Sequence, residues 1–438
     1  MRRQAARFVS RLTGNTLALV LAGGRGERLG VLTDWRTKPA VPFGGKFRII
    51  DFTLSNCLHS GIRKVCVLTQ YKSHSLIQHL MRGWTHLNSE RGEFLDVVPA
   101  QQWTDNEGWF LGTADAVYQS LDIIEGYGIN HVLILAGDHI YNMDYGEMLA
   151  EHVNAGADFT VACQAVPVAD AAGQFGVMET DENSLIKGFA EKPESPKTIP
   201  GEPDMALASM GIYIVSFEYL NRKLREDAED PKSSHDFGRD IIPRALAAGD
   251  LLLAHRLENP HEGRPPYWRD VGTIDAYYKA NMELISDHPP LDLYDPSWFT
   301  LTYQAQLPPA HFVDGGDNHS VEDAMISGGC VVIESSLKRS VLFSNVKVHE
   351  GCHLDGVLAL PGCEIGAGSR LKNVILDNQC HVPPGTVIGE DPARDAQTYT
   401  VTEGGVVVVN RRMLGQGDSY IPGVVPNNPC WPEPPAGK

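Results

Sequence analysis

A glycine-rich segment near the start of the chain carries the first residues that could do chemistry. It follows the apolar run Thr16–Leu21 and reads AGGRGERL over positions 22–29. Its glycines are Gly23, Gly24 and Gly26, and its arginines are Arg25 and Arg28. Glycines directly after a buried strand let backbone N–H groups approach an anion, and a following helix would add the positive end of its dipole. Together with Lys38, the two arginines favour a polyphosphate over a nicotinamide nucleotide.

Two familiar nucleotide-binding motifs nearly match this region, and both fail. A dinucleotide-binding fingerprint needs a third small residue where Leu29 stands. A Walker P-loop needs Ser or Thr where Phe47 follows Gly45-Lys46, and Gly where the chain has Ala40. The segment is therefore interpreted as a phosphate loop of a different kind.

Two isolated acidic residues are candidates for holding a cation. Asp138 follows the apolar run His131–Ala136 closely, and ligands of open α/β sheets bind beyond the carboxyl ends of the strands. A carboxylate there could hold Mg²⁺ against phosphate oxygens, although an Asp after a strand can equally cap a helix. Asp270 could complete a two-carboxylate site, but sequence spacing alone does not place it there.

A lysine between an acid and a proline is the last candidate. In the run EKP at 191–193, Lys192 is held before a proline and could present a point charge to a monoester phosphate. The alternative is a solvated turn lysine.

The elements that must position these residues alternate along the first two-thirds of the chain. Short Val/Ile/Leu-rich runs are separated by amphipathic or turn-rich stretches, which is typical of an α/β domain with a mostly parallel sheet and helices on both faces. The predicted strands are Thr16–Leu21, Lys64–Thr69, His131–Ala136, 158–166 and 211–215. A proline-rich stretch at 286–310 then indicates a domain connection.

Beyond it lies an apolar repeat of 17 residues, a period that no helix has. One series is Val331, Val348, Ile365 and Val382, a second is Leu337, Leu354, Leu371 and Ile388, and a third is Val341, Leu358 and Ile375. Stacked coils of a solenoid give such a repeat because each coil places its inward side chains on those of the next. The pattern predicts a left-handed parallel β-helix, with a β-sandwich as the alternative. Cys352, Cys363 and Cys380 are interpreted as core thiols rather than metal ligands.

Composition excludes some classes of partner. The 438 residues include 37 Lys+Arg and 55 Asp+Glu, a net charge of −18 that argues against general nucleic-acid binding. Residues 1–50 oppose this trend, with ten basic residues against Glu27 and Asp34. No apolar run is long enough for a membrane span, and eight cysteines without a CxxC pair indicate reduced thiols in a cytoplasmic protein. The Arg-rich start predicts a basic arm, with an organellar presequence as the alternative.

In their order along the chain, these motifs resemble the sugar-nucleotide pyrophosphorylases, most closely the bacterial members that use ATP. The matching segments lie within residues 15–415 and include AGGRGxRL (22–29, with position 27 variable), KPAV (38–41), FGGK (43–46), RIIDF (48–52), PAQQ (99–102), GTADAV (112–117), LAGDHIY (135–141), FGVM (175–178), EKP (191–193), ASMGIY (208–213), SHDFG (234–238) and WRDVGT (268–273). The resemblance implies a nucleotidyltransferase domain at 16–285, a linker at 286–318, a left-handed β-helix at 319–414 and usually a homotetramer. An arm at 1–15 and a Pro/Gly-rich tail at 415–438 flank them.

The resemblance also implies a role for each matching residue. The ATP phosphates and nucleotide would contact Gly23, Gly24, Arg25, Gly26, Arg28, Lys38, Gln102 and Gly112. Asp138 and Asp270 would coordinate Mg²⁺, and Arg25, Lys38 and Asp138 would be catalytic. Glucose 1-phosphate would contact Phe110, Gly176, Glu191, Lys192 and Ser209, with Lys192 on the phosphate. The family usually has Tyr where Phe110 stands, so a hydroxyl hydrogen bond is lost there.

The reaction implied is ATP + α-D-glucose 1-phosphate to ADP-glucose + pyrophosphate, which would supply glycogen or another α-glucan. Alternatives are a uridylyl- or thymidylyltransferase, a non-catalytic regulatory paralogue, and a hexapeptide-repeat acyltransferase with His349, His353 or His381 as the base. The RIIDF and SHDFG runs favour the adenylyl branch, and the intact set of cations and carboxylates argues against the paralogue.

Regulation by anionic metabolites bound between the domains is implied as well. Arg36, Arg48 and Arg411 match effector-binding positions of the family. Trp35, Pro42 and Asn378 stand where the family commonly has cationic or hydrogen-bonding side chains. Because a bisphosphate would lose charge partners, we expect a weaker or different effector preference, toward a monophosphate or a small carboxylate.

Overall fold

The structure is a computed structural model, which describes residues 2–24, 26–100, 109–258, 266–313 and 320–417, with the backbone alone for 2–6. The helices of the first domain are α1 (Arg2–Gly14), α2 (Ile49–His59), α3 (His74–Gly83), α4 (Thr113–Tyr118), α5 (Leu121–Gly126), α6 (Tyr145–Ala155), α7 (Val168–Ala171), α8 (Phe217–Ala228), α9 (Ile242–Ala248) and α10 (Ile274–Glu283). Its strands are β1 (Thr16–Leu21), β2 (Pro42–Phe43), β3 (Phe47–Arg48), β4 (Lys64–Thr69), β5 (Phe94–Pro99), β6 (His131–Ala136), β7 (Ile140–Tyr141), β8 (Phe159–Pro167), β9 (Val177–Thr180), β10 (Ile186–Ala190), β11 (Met205–Ser216), β12 (Leu252–Arg256) and β13 (Trp268–Arg269).

The main sheet is built around β1. Strands β6 and β4 flank β1 in parallel, and β5 joins β4 in parallel, so that the order β6-β1-β4-β5 forms a parallel half. On the other side of β6, β11 runs antiparallel and pairs with both β8 and β9. The α/β prediction is confirmed. The bounds of β1, β4 and β6 are those expected from the sequence, whereas β11 begins six residues earlier.

Helices cover both faces of this sheet because β1 is apolar on both. Leu17 and Leu19 lie in one core with side chains of α4, α5, α8 and α9. Ala18 and Val20 face the opposite core, which includes side chains of α2, α3 and α6. The basic segment at the start of the chain is the helix α1, which packs against α6 with Val9 close to Gly146.

The second domain consists mainly of short strands in stacked parallel pairs. They are β14 (His311–Val313), β15 (Ser320–Ile326), β16 (Val331–Ile333), β17 (Ser336–Leu342), β18 (Lys347–Val348), β19 (His353–Ala359), β20 (Glu364–Ile365), β21 (Arg370–Leu376), β22 (His381–Val382), β23 (Val387–Ile388), β24 (Thr400–Val401) and β25 (Val407–Val409), with one short helix, α11 (Pro392–Asp395). One parallel sheet follows the order β14-β16-β18-β20-β22, and a second contains β15-β17-β19-β21-β25. The β-helix prediction is confirmed.

The register bears out the 17-residue repeat except in its first coil. Leu337, Leu354, Leu371 and Ile388 are paired in succession, and so are Val348, Ile365 and Val382. Val331 instead pairs with Lys347, and it is Val332 that pairs with Val348 and is buried. Assigning Val331 to the inward series was therefore wrong, because this coil is one residue shorter than the next. Cys352, Cys363 and Cys380 are buried free thiols inside the β-helix, as expected.

The two domains share a hydrophobic core. Phe43 and Tyr277 of the first domain lie in one buried cluster with Val341, Leu358 and Val408 of the β-helix. Hydrogen bonds add to this contact, from Tyr278 Oη to the carbonyl of Gly356 at 2.7 Å and from Thr402 Oγ1 to Asp275 at 2.6 Å. The β-helix is thus seated directly on the domain that carries the candidate active site.

Candidate active site

The glycine-rich segment follows β1 at the carboxyl edge of the parallel strands. Gly26 has φ +64° and is a glycine for a steric reason, because a Cβ there would lie 2.8 Å from Lys38 Cβ. The helix after it is a seven-residue 3₁₀ helix, Glu27–Thr33, kinked at Gly30. The expectation of a helix dipole at this loop is therefore corrected, because a kinked 3₁₀ segment lacks the aligned peptide dipoles of a regular α-helix. Arg25 lies outside the described residues.

Lys38 lies between the two acidic residues picked out from the sequence. Its Nζ is 3.0 Å from Asp138 Oδ2 and 2.6 Å from Asp270 Oδ1, with only 6% of the side chain exposed. Strand β13 pairs antiparallel with β7 and so carries Asp270 to the segment that bears Asp138. Arg28 reaches the same group, with its guanidinium 3.3 Å from Asp270 Oδ2. Tertiary structure thus joins two carboxylates and two cations that the sequence keeps apart.

The charges of this group stabilise one another. Burial lowers the pKa of Lys38, but the charges of Asp138 and Asp270 outweigh that effect, so the pKa is raised overall. Burial raises the pKa of Asp270, yet hydrogen bonding from His139 and the charge of Lys38 leave it well below its usual range. Asp270 is therefore an anion and Lys38 a cation at neutral pH.

His139 adds a hydrogen-bond donor rather than a metal ligand. Trp268 Nε1–H, which can only donate, lies 3.3 Å from His139 Nδ1. Nδ1 must then accept, which in a neutral ring leaves the proton on Nε2. That Nε2 faces both carboxylates, 3.6 Å from Asp138 Oδ1 and 3.4 Å from Asp270 Oδ1. His139 therefore helps to orient the acids.

The donor set fits a magnesium ion. One carboxylate oxygen of Asp138 and one of Asp270 lie within 4.8 Å of each other. Mg²⁺ is usually held by one or two carboxylates together with substrate phosphates and waters. Asp138 and Asp270 supply such carboxylates, each with part of its side chain exposed to solvent. Lys38 bridges the same two carboxylates and so lies where it can both compete with a cation and meet a phosphate.

A cavity of about 780 Å³ opens beside this group. Its wall contains several of the residues predicted for ATP, namely Gly23, Gly24, Gly26, Lys38 and Gly112, together with Phe110, Asp138 and Glu191. Gly112 has a backbone reason to be glycine, because a Cβ there would lie 2.2 Å from the carbonyl oxygen of His235. Gln102, predicted to lie along the nucleotide, is outside the described residues.

Glu191 is an acidic residue of the cavity wall. Its Oε2 lies between two glycines, since a Cβ at Gly176 or Gly238 would come within 2.9 or 2.6 Å of it. Burial and the neighbouring charge of Asp236 raise the pKa of Glu191. Glu191 and Asp236 therefore lie close together on the cavity wall. Their carboxylate oxygens can accept hydrogen bonds from hydroxyl groups.

The other residues predicted for a sugar phosphate lie beside Glu191. Ser209 N donates to the carbonyl of Gly176 at 2.8 Å, which joins these two positions through the backbone. Lys192 has φ +48°, an uncommon conformation for a residue with a side chain, and half of its side chain is exposed. Its Nζ is 3.9 Å from Glu191 Oε1 and remains accessible to an anion.

Among the cavity residues that sequence reasoning missed are one acid, Asp236, and two aromatic residues, Tyr213 and Trp109. Asp236 lines it and also accepts hydrogen bonds from the Gly238 and Arg239 amides. Tyr213 and Trp109 line it as well, and Trp109 is 60% exposed. All three lie inside or beside motifs that carry the family resemblance. A polar or aromatic residue in such a motif was therefore the sequence feature that could have indicated them.

A second cavity, of about 530 Å³, lies between the domains. It contains the three arginines predicted for effectors, Arg36, Arg48 and Arg411, and the three departures from the family pattern, Trp35, Pro42 and Asn378. Lys46, Arg82 and Arg412, which were not singled out from the sequence, line it too. The cavity is thus rich in cations.

The guanidinium of Arg36 is held by two polar side chains of the β-helix domain. It forms an ion pair with Asp377 and donates to Asn378 Oδ1 at 3.1 Å, and 7% of the side chain is exposed. Much of its charge is therefore balanced within the chain. Arg48 Nη1 donates to the carbonyl of Ser75 at 2.7 Å, which fixes the side chain along the cavity wall.

The histidines considered as acyltransferase bases lie on the outside of the β-helix. His349 Nε2 is 2.7 Å and His381 Nδ1 3.2 Å from the carboxylate of Glu364. His353 is exposed. Such surface contacts between polar side chains are ordinary and solvated. Among the helices of the described residues, none has the length and apolarity needed to cross a membrane.

Comparison with known proteins agrees with this architecture. Residues 17–287 match the model of the nucleotidyl transferase family, and residues 308–409 match that of the GlmU-like C-terminal hexapeptide. A glucose-1-phosphate adenylyltransferase of Nitrosomonas europaea is 51% identical over 95% of this chain and 97% of its own length. One of Nitrosococcus oceani is 52% identical over 95% and 99%, and glucose-1-phosphate adenylyltransferase 2 of Alkalilimnicola ehrlichii is 54% identical over 94% and 97%. With a family model over most of its length and such relatives end to end, the chain belongs to the glucose-1-phosphate adenylyltransferase family of nucleotidyl transferases.

Proposed function

We propose that this protein transfers the adenylyl group of ATP to α-D-glucose 1-phosphate, giving ADP-glucose and pyrophosphate for α-glucan synthesis. One observation carries the proposal: Lys38 and the two carboxylates of Asp138 and Asp270 converge beside a glycine-rich loop at the edge of a parallel sheet. The family membership of the chain supplies the identity of the two substrates.

The nucleophile in this reaction needs no side-chain base. The phosphate oxygen of glucose 1-phosphate is already anionic at pH 7, so catalysis consists of positioning and charge neutralisation. Lys38 and Arg25 would neutralise the β,γ-pyrophosphate that leaves. Mg²⁺ held by Asp138 and Asp270 would withdraw charge from the phosphate oxygens when it is bound. His139, whose Nε2 lies 3.4 Å from Asp270 Oδ1, would help to keep that carboxylate in the orientation seen here.

The part of the cavity lined by Glu191 and Asp236 would hold the sugar. Glu191 lies among Gly176 and Gly238 and can accept hydrogen bonds from glucose hydroxyls. Lys192 is exposed beside it and would bind the phosphate of the sugar as a point charge. Phe110 lines the same cavity and packs against the hydrophobic core of the first domain. This supports an apolar contact with the substrate at this position.

The defining experiment measures pyrophosphate release with glucose 1-phosphate and ATP, UTP, dTTP, GTP or CTP in turn. We expect ATP to be preferred, and a preference for UTP or dTTP would refute the adenylyl assignment. Asp138→Ala should lower kcat by at least 100-fold with little change in the melting temperature, because a partly exposed carboxylate contributes more to the charge of the site than to the core. Near-normal pyrophosphate release by Asp138→Ala would contradict its role.

We also propose that the interdomain cavity binds anionic metabolites that regulate the enzyme. The cations along its wall support an anion site, and the neutralisation of Arg36 by Asp377 supports a weaker preference for bisphosphates than for a monophosphate or a small carboxylate. Activity would be titrated with fructose 1,6-bisphosphate, fructose 6-phosphate, pyruvate and AMP. Strong activation by the bisphosphate alone would overturn the stated preference.

Assembly and location complete the proposal. We expect a cytoplasmic homotetramer, for which family membership and the buried free cysteines of the described residues are the support. Light scattering after size exclusion should give about four times the chain mass of 48.0 kDa. A monomer or dimer at micromolar concentration would be the contrary result.

A further inference from the structure

Helix α2 lies against the segment that carries Asp138 and holds both of its ends. Thr53 Oγ1 donates to the carbonyl oxygen of Ala136 at 3.1 Å, and Asn56 Nδ2 donates to the carbonyl oxygen of Tyr141 at 3.0 Å. Both side chains are buried, with 0% and 1% of the residue exposed. Asp138 stands between these two anchored carbonyls, next to Gly137, which has no side chain with which to fix the segment itself.

The adjacent face of α2, which Asn56 shares, contacts the linker between the domains. Trp298 Nε1 donates to Asn56 Oδ1 at 2.9 Å, and the Trp298 ring stacks on His59 with ring centroids 4.8 Å apart. Further along the linker, Leu301 N donates to Ser55 Oγ at 2.9 Å. Asn56 therefore contacts the linker with its oxygen and the Asp138 segment with its nitrogen.

The Trp298 contact determines which way the Asn56 amide faces. An indole N–H can only donate, so the atom that meets it must be the amide oxygen. The amide nitrogen is then directed at the carbonyl of Tyr141, where only a donor forms a hydrogen bond. Without Trp298 the amide could rotate and place its oxygen against that carbonyl.

We infer that Thr53 and Asn56 are positioning residues for Asp138, and that Trp298 acts on the same carboxylate through Asn56. The inference rests on the proposed function, in which Asp138 binds the metal. Partners that orient a metal-binding carboxylate commonly change metal affinity or activity by about 10- to 100-fold when they are removed. Thr53 bonds the Asp138 segment directly, whereas Trp298 bonds Asn56, which in turn bonds the segment. Replacing Thr53 should therefore have the larger effect.

The experiment compares Thr53→Val, Thr53→Ser, Trp298→Phe and Ser55→Ala in the full-length protein. Thr53→Val is nearly isosteric and removes the donor, whereas Thr53→Ser keeps it. Trp298→Phe removes the N–H but keeps a ring that can stack on His59. Ser55→Ala is the matched control, because it removes a linker contact of the same helix that involves Leu301 rather than Asn56. For each protein, the dissociation constant of Mn²⁺ without substrates is measured by electron paramagnetic resonance, together with kcat, the KM for glucose 1-phosphate and the melting temperature.

Thr53→Val should raise the Mn²⁺ dissociation constant and lower kcat, each about tenfold, with the KM for glucose 1-phosphate within twofold. Trp298→Phe should raise the Mn²⁺ dissociation constant and lower kcat, each about threefold. Thr53→Ser and Ser55→Ala should stay within twofold of the unmodified protein.

A Thr53→Val protein with a lower melting temperature but unchanged Mn²⁺ affinity and kcat would show a merely structural role and overturn the inference. Equal shifts in Trp298→Phe and Ser55→Ala would overturn the part assigned to Trp298. If the unmodified protein releases no pyrophosphate with any nucleotide, the proposed function fails by itself, while Mn²⁺ affinity still decides whether Thr53 positions Asp138.

Discussion

Replacing Lys38 by Met tests the charge arrangement of the site, because it removes the cation and keeps a side chain of similar length. The lysine is 6% exposed and lies 3.0 and 2.6 Å from carboxylate oxygens of Asp138 and Asp270. Without it, two acidic side chains face each other in a largely buried place. Removing one partner of a buried ion pair costs about 3–5 kcal/mol, and we take about 3 kcal/mol because a third of the Asp138 side chain is exposed.

This loss should be visible in the melting temperature. At an unfolding entropy of about 2.1 cal/mol/K per residue, 438 residues give about 0.9 kcal/mol/K, so that 3 kcal/mol lowers the melting temperature by about 3 °C. In the presence of Mg²⁺ the melting temperature of Lys38→Met should rise again, because the ion replaces the missing positive charge. A Mg²⁺ concentration 100 times the dissociation constant restores about 2.7 kcal/mol. Mg²⁺ should raise the melting temperature of the unmodified protein less, because Lys38 competes with the ion for the carboxylates of Asp138 and Asp270.

The assay is differential scanning calorimetry in EDTA and in Mg²⁺, together with pyrophosphate release. Lys187→Met is the matched control, because its ion pair with Asp181 is 3.1 Å long but its side chain is 59% exposed. We expect Lys38→Met to lose at least 100-fold in kcat even where Mg²⁺ restores its stability. Equal melting temperatures of Lys38→Met and the unmodified protein in EDTA, or an equal Mg²⁺ response, would refute the reasoning.

Three further predictions address other parts of the chain. Lys192→Gln should raise the KM for glucose 1-phosphate about tenfold with kcat within twofold, since binding that is equal in the ground state and the transition state is lost. If initial-rate measurements show a change only in the KM for ATP, the assignment of Lys192 to glucose 1-phosphate is wrong. Arg36→Met should lower the free energy of unfolding by about 3–5 kcal/mol in urea denaturation, because it leaves Asp377 buried without its partner, and adding Asp377→Leu should recover most of the loss; additive losses would be the opposing result. Burial, followed by the charge of His131, lowers the pKa of His152 to about 4, so the unfolded state binds more protons below pH 6.5. The free energy of unfolding should therefore fall by up to about 3 kcal/mol between pH 6.5 and 4, and an unchanged slope in His152→Gln would contradict this.

Local pattern predicted much of the fold. Strands β1, β4 and β6 are continuous apolar runs bounded by turns, so their bounds could be obtained from neighbouring residues alone. The β-helix was predictable for the same reason, since its repeat is written directly in the spacing of apolar side chains. Val331 was misassigned because a spacing of 17 residues does not reveal a coil that is one residue shorter.

The candidate site was predictable only as separate pieces. Glycines, cations and acids in motif order indicated phosphate chemistry, and the resemblance supplied their roles. Nothing local indicated that Lys38 would bridge Asp138 and Asp270, because Lys38 and Asp270 are separated by 232 positions and meet only when β13 pairs with β7. The 3₁₀ helix after the glycine-rich loop, with non-helical backbone at Gly30, was not predicted either.

The sequence by itself determined the two domain types, the solenoid period and the inventory of charged groups, since each depends on residues that are near one another along the chain. Tertiary structure alone decided which of those groups are partners. Arg36 forms a buried ion pair with Asp377, 341 positions away, and Asn56 lies between the linker and the Asp138 segment. Burial and distance set the strength of each charge, and both exist only once the helices, the sheet and the β-helix have packed together.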